Sequence, residues 1–365
     1  MSHLKICVYA IAKNEAAFVR RFCESARDAD MIFVADTGST DDTVSLLEEC
    51  GATVVHISIK PWRFDDARNT ALALIPAEFD IVVTLDLDEV LMPGWREEVE
   101  RIWTPETTCL RHQHKWGEGR EFAHCKFHSR HGFRWKHPVH EVPTADRITE
   151  VWANTSMILT VHKQDPTKSR AQYLDLLRVS CEEIPSDTRQ AFYYGRELKF
   201  YGHWQKAIDQ CKKYLAMPET TWADERGYAC RVIGACYQEL KDWDNALKWH
   251  RLATIESPHT REPWCELALC CHARQRWAEC FGAAITCLSL EIKQNCYTVD
   301  PRCWGPLPHD LAGIAAWNLG LWETALDHSK KALALDPDDF RLRDNVKFMQ
   351  EKVDSLHRPA VEDAA

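Results

Sequence analysis

Three carboxylates close the apolar run Asp80-Ile81-Val82-Val83-Thr84-Leu85-Asp86-Leu87-Asp88-Glu89, with only Leu87 between them. The β-branched stretch Ile81 to Leu85 predicts a strand buried on both faces of a sheet. Charges cannot continue into such a core, so Asp86, Asp88 and Glu89 are expected where the strand emerges. In open α/β sheets that end is where ligands bind. Two carboxylates at i and i+2 there can hold a hard divalent cation, or one can hold the cation and the other a ribose hydroxyl. The plainer reading is a polar turn after a strand. Glu89 is read as the residue that holds this turn.

The elements before that strand would have to position it. Leu4 to Ile11, Met31 to Ala35 and Thr53 to Ile57 read as strands. They alternate with helix patterns at Glu15 to Ala26, Val44 to Cys50 and Ala67 to Leu74. This βαβα order predicts a Rossmann-like α/β domain with a mostly parallel sheet, over residues 1–168. From Ser169 to about Leu356 long helical patterns take over and a unit recurs. Gly202-His203-Trp204 with Ala207 is echoed by Lys241-Asp242-Trp243 with Ala246, Gln275-Arg276-Trp277 with Cys280, and Gly320-Leu321-Trp322 with Ala325. Pro218, Pro258 and Pro337 punctuate three of the units. The small residue three after each Trp lets paired helices approach closely. Residues 169–356 therefore resemble an all-α array of tetratricopeptide repeats with insertions, and 357–365 read as a disordered tail.

Four N-terminal stretches stand in a fixed order: Ile11-Ala12-Lys13-Asn14-Glu15, Asp36-Thr37-Gly38-Ser39-Thr40-Asp41-Asp42-Thr43, Phe64-Asp65-Asp66-Ala67-Arg68-Asn69-Thr70-Ala71-Leu72, and Leu85-Asp86-Leu87-Asp88-Glu89. Together, over residues 4–95, they resemble the nucleotide-sugar half of family 2 glycosyltransferases, which have the GT-A fold. The resemblance implies that Asp36 accepts the N3–H of a uracil, with Asn14 and Glu15 lining the same pocket. It implies that Arg68 faces the diphosphate, where a guanidinium matches phosphate geometry. Asp86 and Asp88 match the family's DxD motif, Asp86 toward the ribose and the metal and Asp88 as a direct ligand of Mn²⁺ or Mg²⁺. Against these stand plainer roles: Asp36 as a helix-capping carboxylate, Arg68 in a surface salt bridge.

Farther along, Phe133-Arg134-Trp135-Lys136-His137-Pro138-Val139-His140-Glu141 resembles the family stretch that ends in a His-Glu pair before the acceptor pocket. Glu141 is the expected catalytic base, because an inverting transferase needs a group to take the acceptor proton. Its plainer role is a carboxylate that holds a loop. His162 matches the place where many GT-A enzymes supply a third metal ligand. Cys109-x2-His112 and Cys125-x2-His128 have a spacing that could hold zinc. The extended pattern around Cys125 would throw i and i+3 onto opposite faces, so no zinc site is expected.

Composition bounds the rest. No apolar stretch reaches membrane-spanning length, and the N-terminal apolar run is too short for a signal peptide. With sixteen cysteines and no export signal, reduced core thiols and a cytoplasmic location are expected. The net charge of −10 offers no global attraction to nucleic acid or anionic membrane. The expectation is a metal-dependent, inverting glycosyltransferase that uses a UDP-sugar donor. A protein or peptide acceptor would be presented by the repeats, which could also pair subunits. The rivals are the same enzyme acting on a modified nucleobase in DNA or on a cell-envelope glycan, and a non-enzymatic repeat scaffold with a relic transferase domain.

Overall fold

The computed structural model describes residues 3–117, 121–163 and 172–357. The chain divides into two compact units, one of residues up to Gln190 together with Asn295–Tyr297, the other of the remainder. The expected domain boundary at 168/169 and the tail beyond His357 lie outside the described residues.

The first unit is built on β1 (Ile6–Ala12), α1 (Val19–Ala26), β2 (Met31–Asp36), α2 (Thr43–Glu49), β3 (Thr53–His56), α3 (Phe64–Leu74), β4 (Ile81–Thr84), β5 (Glu89–Leu91) and α4 (Trp95–Ile102). Then come β6 (Cys109–Trp116), β7 (Glu121–Ser129), β8 (Phe133–Lys136), β9 (Val142–Ala145), β10 (Trp152–His162) and α5 (Tyr173–Glu183). Eight strands form one sheet in the order β3-β2-β1-β4-β7-β6-β10-β5, and β8 and β9 form a separate hairpin. The run β3-β2-β1-β4 is parallel, as the βαβα pattern predicts. β7 then enters antiparallel to both β4 and β6, and β5 closes the far edge antiparallel to β10. β1 and β4 are buried almost throughout, the burial a central strand requires.

Register brings the chemistry-bearing loops to one edge. Ala12 ends β1 beside Asp36, Asp36 ends β2 beside His56, and Tyr9 of β1 lies beside Thr84 of β4. The segments after these positions, Lys13-Asn14-Glu15, Thr37-Gly38-Ser39 and Leu85-Asp86-Leu87-Asp88, therefore all leave the sheet at its carboxyl edge. On the sheet's far half, His162 pairs with Glu89 and with Trp116. That pairing returns the end of β10 to the carboxylate turn.

α6 (Thr188–Phe200) leads into the second unit, which continues with α7 (Trp204–Ala216), α8 (Ala223–Glu239), α9 (Trp243–Glu256), α10 (Arg261–Ala273), α11 (Trp277–Ser289), α12 (Leu307–Asn318), α13 (Trp322–Leu335) and α14 (Phe340–Leu356). Each recurring Trp opens the second helix of a hairpin. The residue three beyond it (Ala207, Ala246, Cys280, Ala325) is fully buried. Gly234 on α8 shows how close the paired helices come, since a Cβ there would meet the His250 ring of α9 at 2.8 Å. The turn before each Trp is the same device four times. Gly202, Lys241, Gln275 and Gly320 have φ of 75°, 63°, 54° and 76°. The N–H after each (His203, Asp242, Arg276, Leu321) donates to the carbonyl five residues back (Leu198, Tyr237, Cys271, Ala316) at 2.9 Å, which is the Schellman closure of a helix end.

Two of these left-handed positions carry side chains, and that has a measurable cost. Lys241→Gly and Gln275→Gly are each expected to raise stability by up to about 1 kcal/mol, the left-handed penalty less the added unfolded-state entropy. A thermal melt showing either variant less stable than the parent would count against this reading of the turn. Among the described residues no helix is long and apolar enough to cross a membrane.

Candidate active site

Two loops at the sheet edge are laced together by their own polar groups. Asn14, with φ of 56°, donates its N–H to Ser39 Oγ at 2.9 Å and accepts from the Thr40 N–H at 2.8 Å. The Glu15 N–H donates to Thr43 Oγ1 at 2.7 Å. Asp36 lies beneath them, 1% exposed, and accepts from the N–H groups of Gly38 and Ser39 and from His56 Nδ1 at 3.1–3.2 Å. Burial alone would raise the Asp36 carboxyl. The hydrogen bonds from Ser39, Gly38 and His56 outweigh it and hold the group below the usual carboxylate range. Asp36 is thus a charged brace for the Gly-Ser-Thr turn, and any nucleobase contact would be an addition to that role.

The carboxylate turn after β4 is braced from behind. The Glu89 N–H donates to the Asp86 carbonyl at 2.8 Å, and the Asp86 N–H donates to Glu89 Oε2 at 2.9 Å. Lys126 Nζ of β7 binds that same Glu89 oxygen at 2.6 Å, with both side chains buried. The Lys163 N–H donates to the Asp88 carbonyl at 2.7 Å and ties the end of β10 to the turn. Glu89 therefore holds the turn, while Asp86 and Asp88 extend from it.

Asp88 and Asp86 take different neighbours. Asp88 Oδ2 lies 3.2 Å from His162 Nε2, and the His162 ring stacks on Trp116, with interplanar angle 6° and centroids 6.2 Å apart. Asp86 Oδ1 accepts from Arg68 Nη2 at 2.7 Å. Arg68, expected to face a diphosphate, is buried. Its Nε donates to Glu141 Oε1 at 2.5 Å, its Nη1 to Thr84 Oγ1 at 3.1 Å, and its face covers Trp135 at 4.9 Å. Burial raises the Glu141 carboxyl above the usual range against the pull of the Arg68 guanidinium. A carboxylate with raised proton affinity is a stronger base.

The loop that carries Glu141 is held in sparsely populated backbone, with His137 and His140 at φ of 80° and 52°. α3 pins it: Asn69 exchanges hydrogen bonds with the Trp135 backbone at 2.9 Å in both directions, and the Phe64 N–H donates to the Pro138 carbonyl at 3.0 Å. The expected residues thus gather in three groups: Asn14, Glu15 and Asp36 in the laced loops, Arg68 with Asp86 and Glu141, and Asp88 with His162.

Among the described residues no group of three His, Cys, Asp or Glu side chains is placed to hold a metal ion. The zinc spacing forms no site either. Cys109 faces His128 across the β6–β7 ladder, while His112 faces His124. His112 and His114 instead bind β10, where His112 Nε2 and His114 Nδ1 share Thr160 Oγ1 at 3.1 and 2.7 Å, and His128 Nε2 lies 3.4 Å from Tyr9 Oη. Lys126, Trp116 and Trp135 were not singled out by the sequence reading. The alternation of polar residues at 112 and 114 and at 124 and 126 is the signal that could have found the buried polar face.

The family model "Glycosyl transferase family 2" matches residues 7–145. Residues 7–145 are a family 2 glycosyltransferase domain. A TPR repeat-containing protein of Synechococcus elongatus is 30% identical over 257 residues, which is 68% of this chain and 56% of that protein. An uncharacterized glycosyltransferase of Rickettsia felis is 35% identical over 101 residues, 27% of this chain and 34% of that one. The chain thus spans about half of the first relative's length and a third of the second's. Solved structures similar to the chain include MamA, at 15% identity with TM-score 0.38 over 46% of this chain and 89% of that one. YrrB, a TPR protein, shows 16% identity with TM-score 0.38 over 48% of this chain and 83% of that one. Every strand-edge loop described above except the end of β10 belongs to the matched glycosyltransferase segment. The helical hairpins that follow are tetratricopeptide-like repeats.

Proposed function

We infer that the protein transfers a sugar from a UDP-sugar to a hydroxyl of a protein or peptide, with inversion at the anomeric carbon. The observation that carries this reading is the Arg68 junction. It joins a buried carboxylate of raised proton affinity, Glu141, to the Asp86 turn of a family 2 glycosyltransferase domain. In the reaction the acceptor oxygen attacks the anomeric carbon from the face opposite the diphosphate. The new C–O bond forms as the bond to the diphosphate breaks, UDP leaves with the electron pair, and the acceptor proton passes to Glu141. Asn14, Glu15 and Asp36 border the nucleoside, and Asp86 is left for the ribose. The helical hairpins are the part of the chain suited to an extended polypeptide.

Mn²⁺ or Mg²⁺ fits the Asp88–His162 pair on the chemistry and spacing of its donors. Adjacent ligands of an octahedral ion at about 2.1 Å stand about 3.0 Å apart, against 3.2 Å between Asp88 Oδ2 and His162 Nε2. Asp88 and His162 would hold the ion, with water and the donor completing its shell; when bound it offsets the charge on the leaving diphosphate.

UDP release from a panel of UDP-sugars, measured in Mn²⁺ and in EDTA, tests the reading. Asp88→Ala is expected to lower metal-dependent release by about 100-fold or more with an unchanged circular dichroism spectrum. No release from any UDP-sugar, or wild-type release by the variant, would count against it.

A further inference from the structure

Arg68 stands where the donor and acceptor halves of that proposed reaction meet. The geometry points to a positioning residue: Arg68 ties the base Glu141 to the Asp86 turn and does not hold the diphosphate. This rests on the transferase reading and refines it, since a guanidinium at this position would otherwise be taken for a phosphate ligand.

Each of the three guanidinium nitrogens has a partner, three of its five N–H donors being used. Nε binds Glu141 at 2.5 Å, Nη1 binds Thr84 at 3.1 Å and Nη2 binds Asp86 at 2.7 Å. The three partners come from the loop after β8, the end of β4 and the turn beyond it, so one planar fork sets the spacing of all three. The plane itself is fixed. It lies 4.9 Å over Trp135, whose Nε1–H donates to Tyr9 Oη at 2.7 Å in the core. The backbone of Trp135 is pinned by Asn69, the residue after Arg68 on α3. One helix turn therefore delivers the guanidinium and holds the strand that leads to Glu141.

A phosphate role would ask this group to leave that setting. The Arg68 side chain is 9% exposed and that of Glu141 11%. Turning the guanidinium onto a diphosphate would strand Glu141 in the interior without its counter-charge, which is costly. Lysine cannot substitute, because one ammonium nitrogen cannot span three acceptors in a plane.

The test uses the full chain. Calorimetry reads the affinities of UDP and of uridine in Mn²⁺. Catalysis is read as UDP release with water as acceptor: a water oxygen bonds to the anomeric carbon, the bond to UDP breaks with its electron pair, and the water proton goes to Glu141. Arg68→Lys is expected to lower release by about 100-fold while the Kd values for UDP and uridine each stay within about threefold of wild type. On a Glu141→Gln background the same substitution is expected to change release by less than about threefold, because residues that act as a unit are not additive. A phosphate ligand would behave otherwise. UDP affinity would fall about tenfold or more while uridine affinity held, and that result overturns the proposal alone. Wild-type protein that binds no UDP would overturn the transferase reading and the proposal with it. Should Arg68→Lys not fold, Thr84→Val severs one tie by exchanging a buried hydroxyl for a methyl. Release is then expected to fall about three- to tenfold at unchanged UDP affinity, and unchanged release would overturn the tie.

Discussion

Glu141→Gln is expected to lower turnover by about 100- to 10,000-fold, the usual worth of a positioned base, with UDP affinity little changed. Glutamine keeps the shape of the side chain, and its amide oxygen can still accept from Arg68 Nε, so the loop from His137 to Glu141 stays tied to α3. What it loses is the ability to take a proton. The wild-type carboxyl suits that task because burial raises its proton affinity while Arg68 keeps it oriented. Parallel measurement of UDP binding and of UDP release separates the possibilities. If the variant loses UDP affinity instead, Glu141 belongs to the donor half of the site; if it keeps full turnover, the base is another group.

The second large effect concerns stability. Four histidines of β6 and β7 are packed into the sheet, His112, His114 and His124 on one face and His128 on the other against Tyr9 and Trp135, with His112, His114 and His128 almost fully buried. Burial lowers the pKa of each, and Lys126 adds to this at His112, His114 and His124. His124 is brought to about 3 and His128 to about 4, with His112 and His114 also well below their ordinary value. In the unfolded chain all four take up protons near pH 6.5. Below that value the unfolded state binds more protons than the folded one, so stability falls as pH falls. It is fully present above about pH 6.5, and four such groups give a slope of about 5 kcal/mol per pH unit once the pH is well under it. Against a typical domain stability of about 5–15 kcal/mol, the first unit is expected to unfold between about pH 6 and pH 4. The near-ultraviolet signal of the buried Trp95 and Trp135 follows this directly. A native signal at pH 4 would mean that the histidines are hydrated or already charged in the fold.

Much of this architecture is legible in the residues. The β-branched stretch Ile81 to Leu85 forms the central strand it predicts, over Ile81–Thr84, because no charged side chain interrupts it. The Trp and small-residue spacing places the hairpins, since a buried Ala or Cys at that step is what close helix approach requires. Asp88 and His162, 74 residues apart in the chain, meet because β10 zips against β5; the family resemblance anticipated the pair, but the residues alone did not. The sheet beyond β4 was not legible. From Cys109 to His162 the alternation is written in histidine, lysine and threonine instead of aliphatic residues, and antiparallel order depends on long-range pairing that local patterns do not encode. The fate of Arg68 was hidden for a related reason. A guanidinium suits a diphosphate and a pair of carboxylates equally well, and only the fold brings Glu141 and Asp86 to its two sides.

The most direct measurement is calorimetric titration of the purified protein with UDP, once with Mn²⁺ and once with EDTA. Saturable binding in Mn²⁺ that is lost in EDTA and in Asp88→Ala is the expected result, and would place a metal-assisted nucleotide site at the turn after β4. Absence of UDP binding under both conditions, by protein that is natively folded, would contradict it.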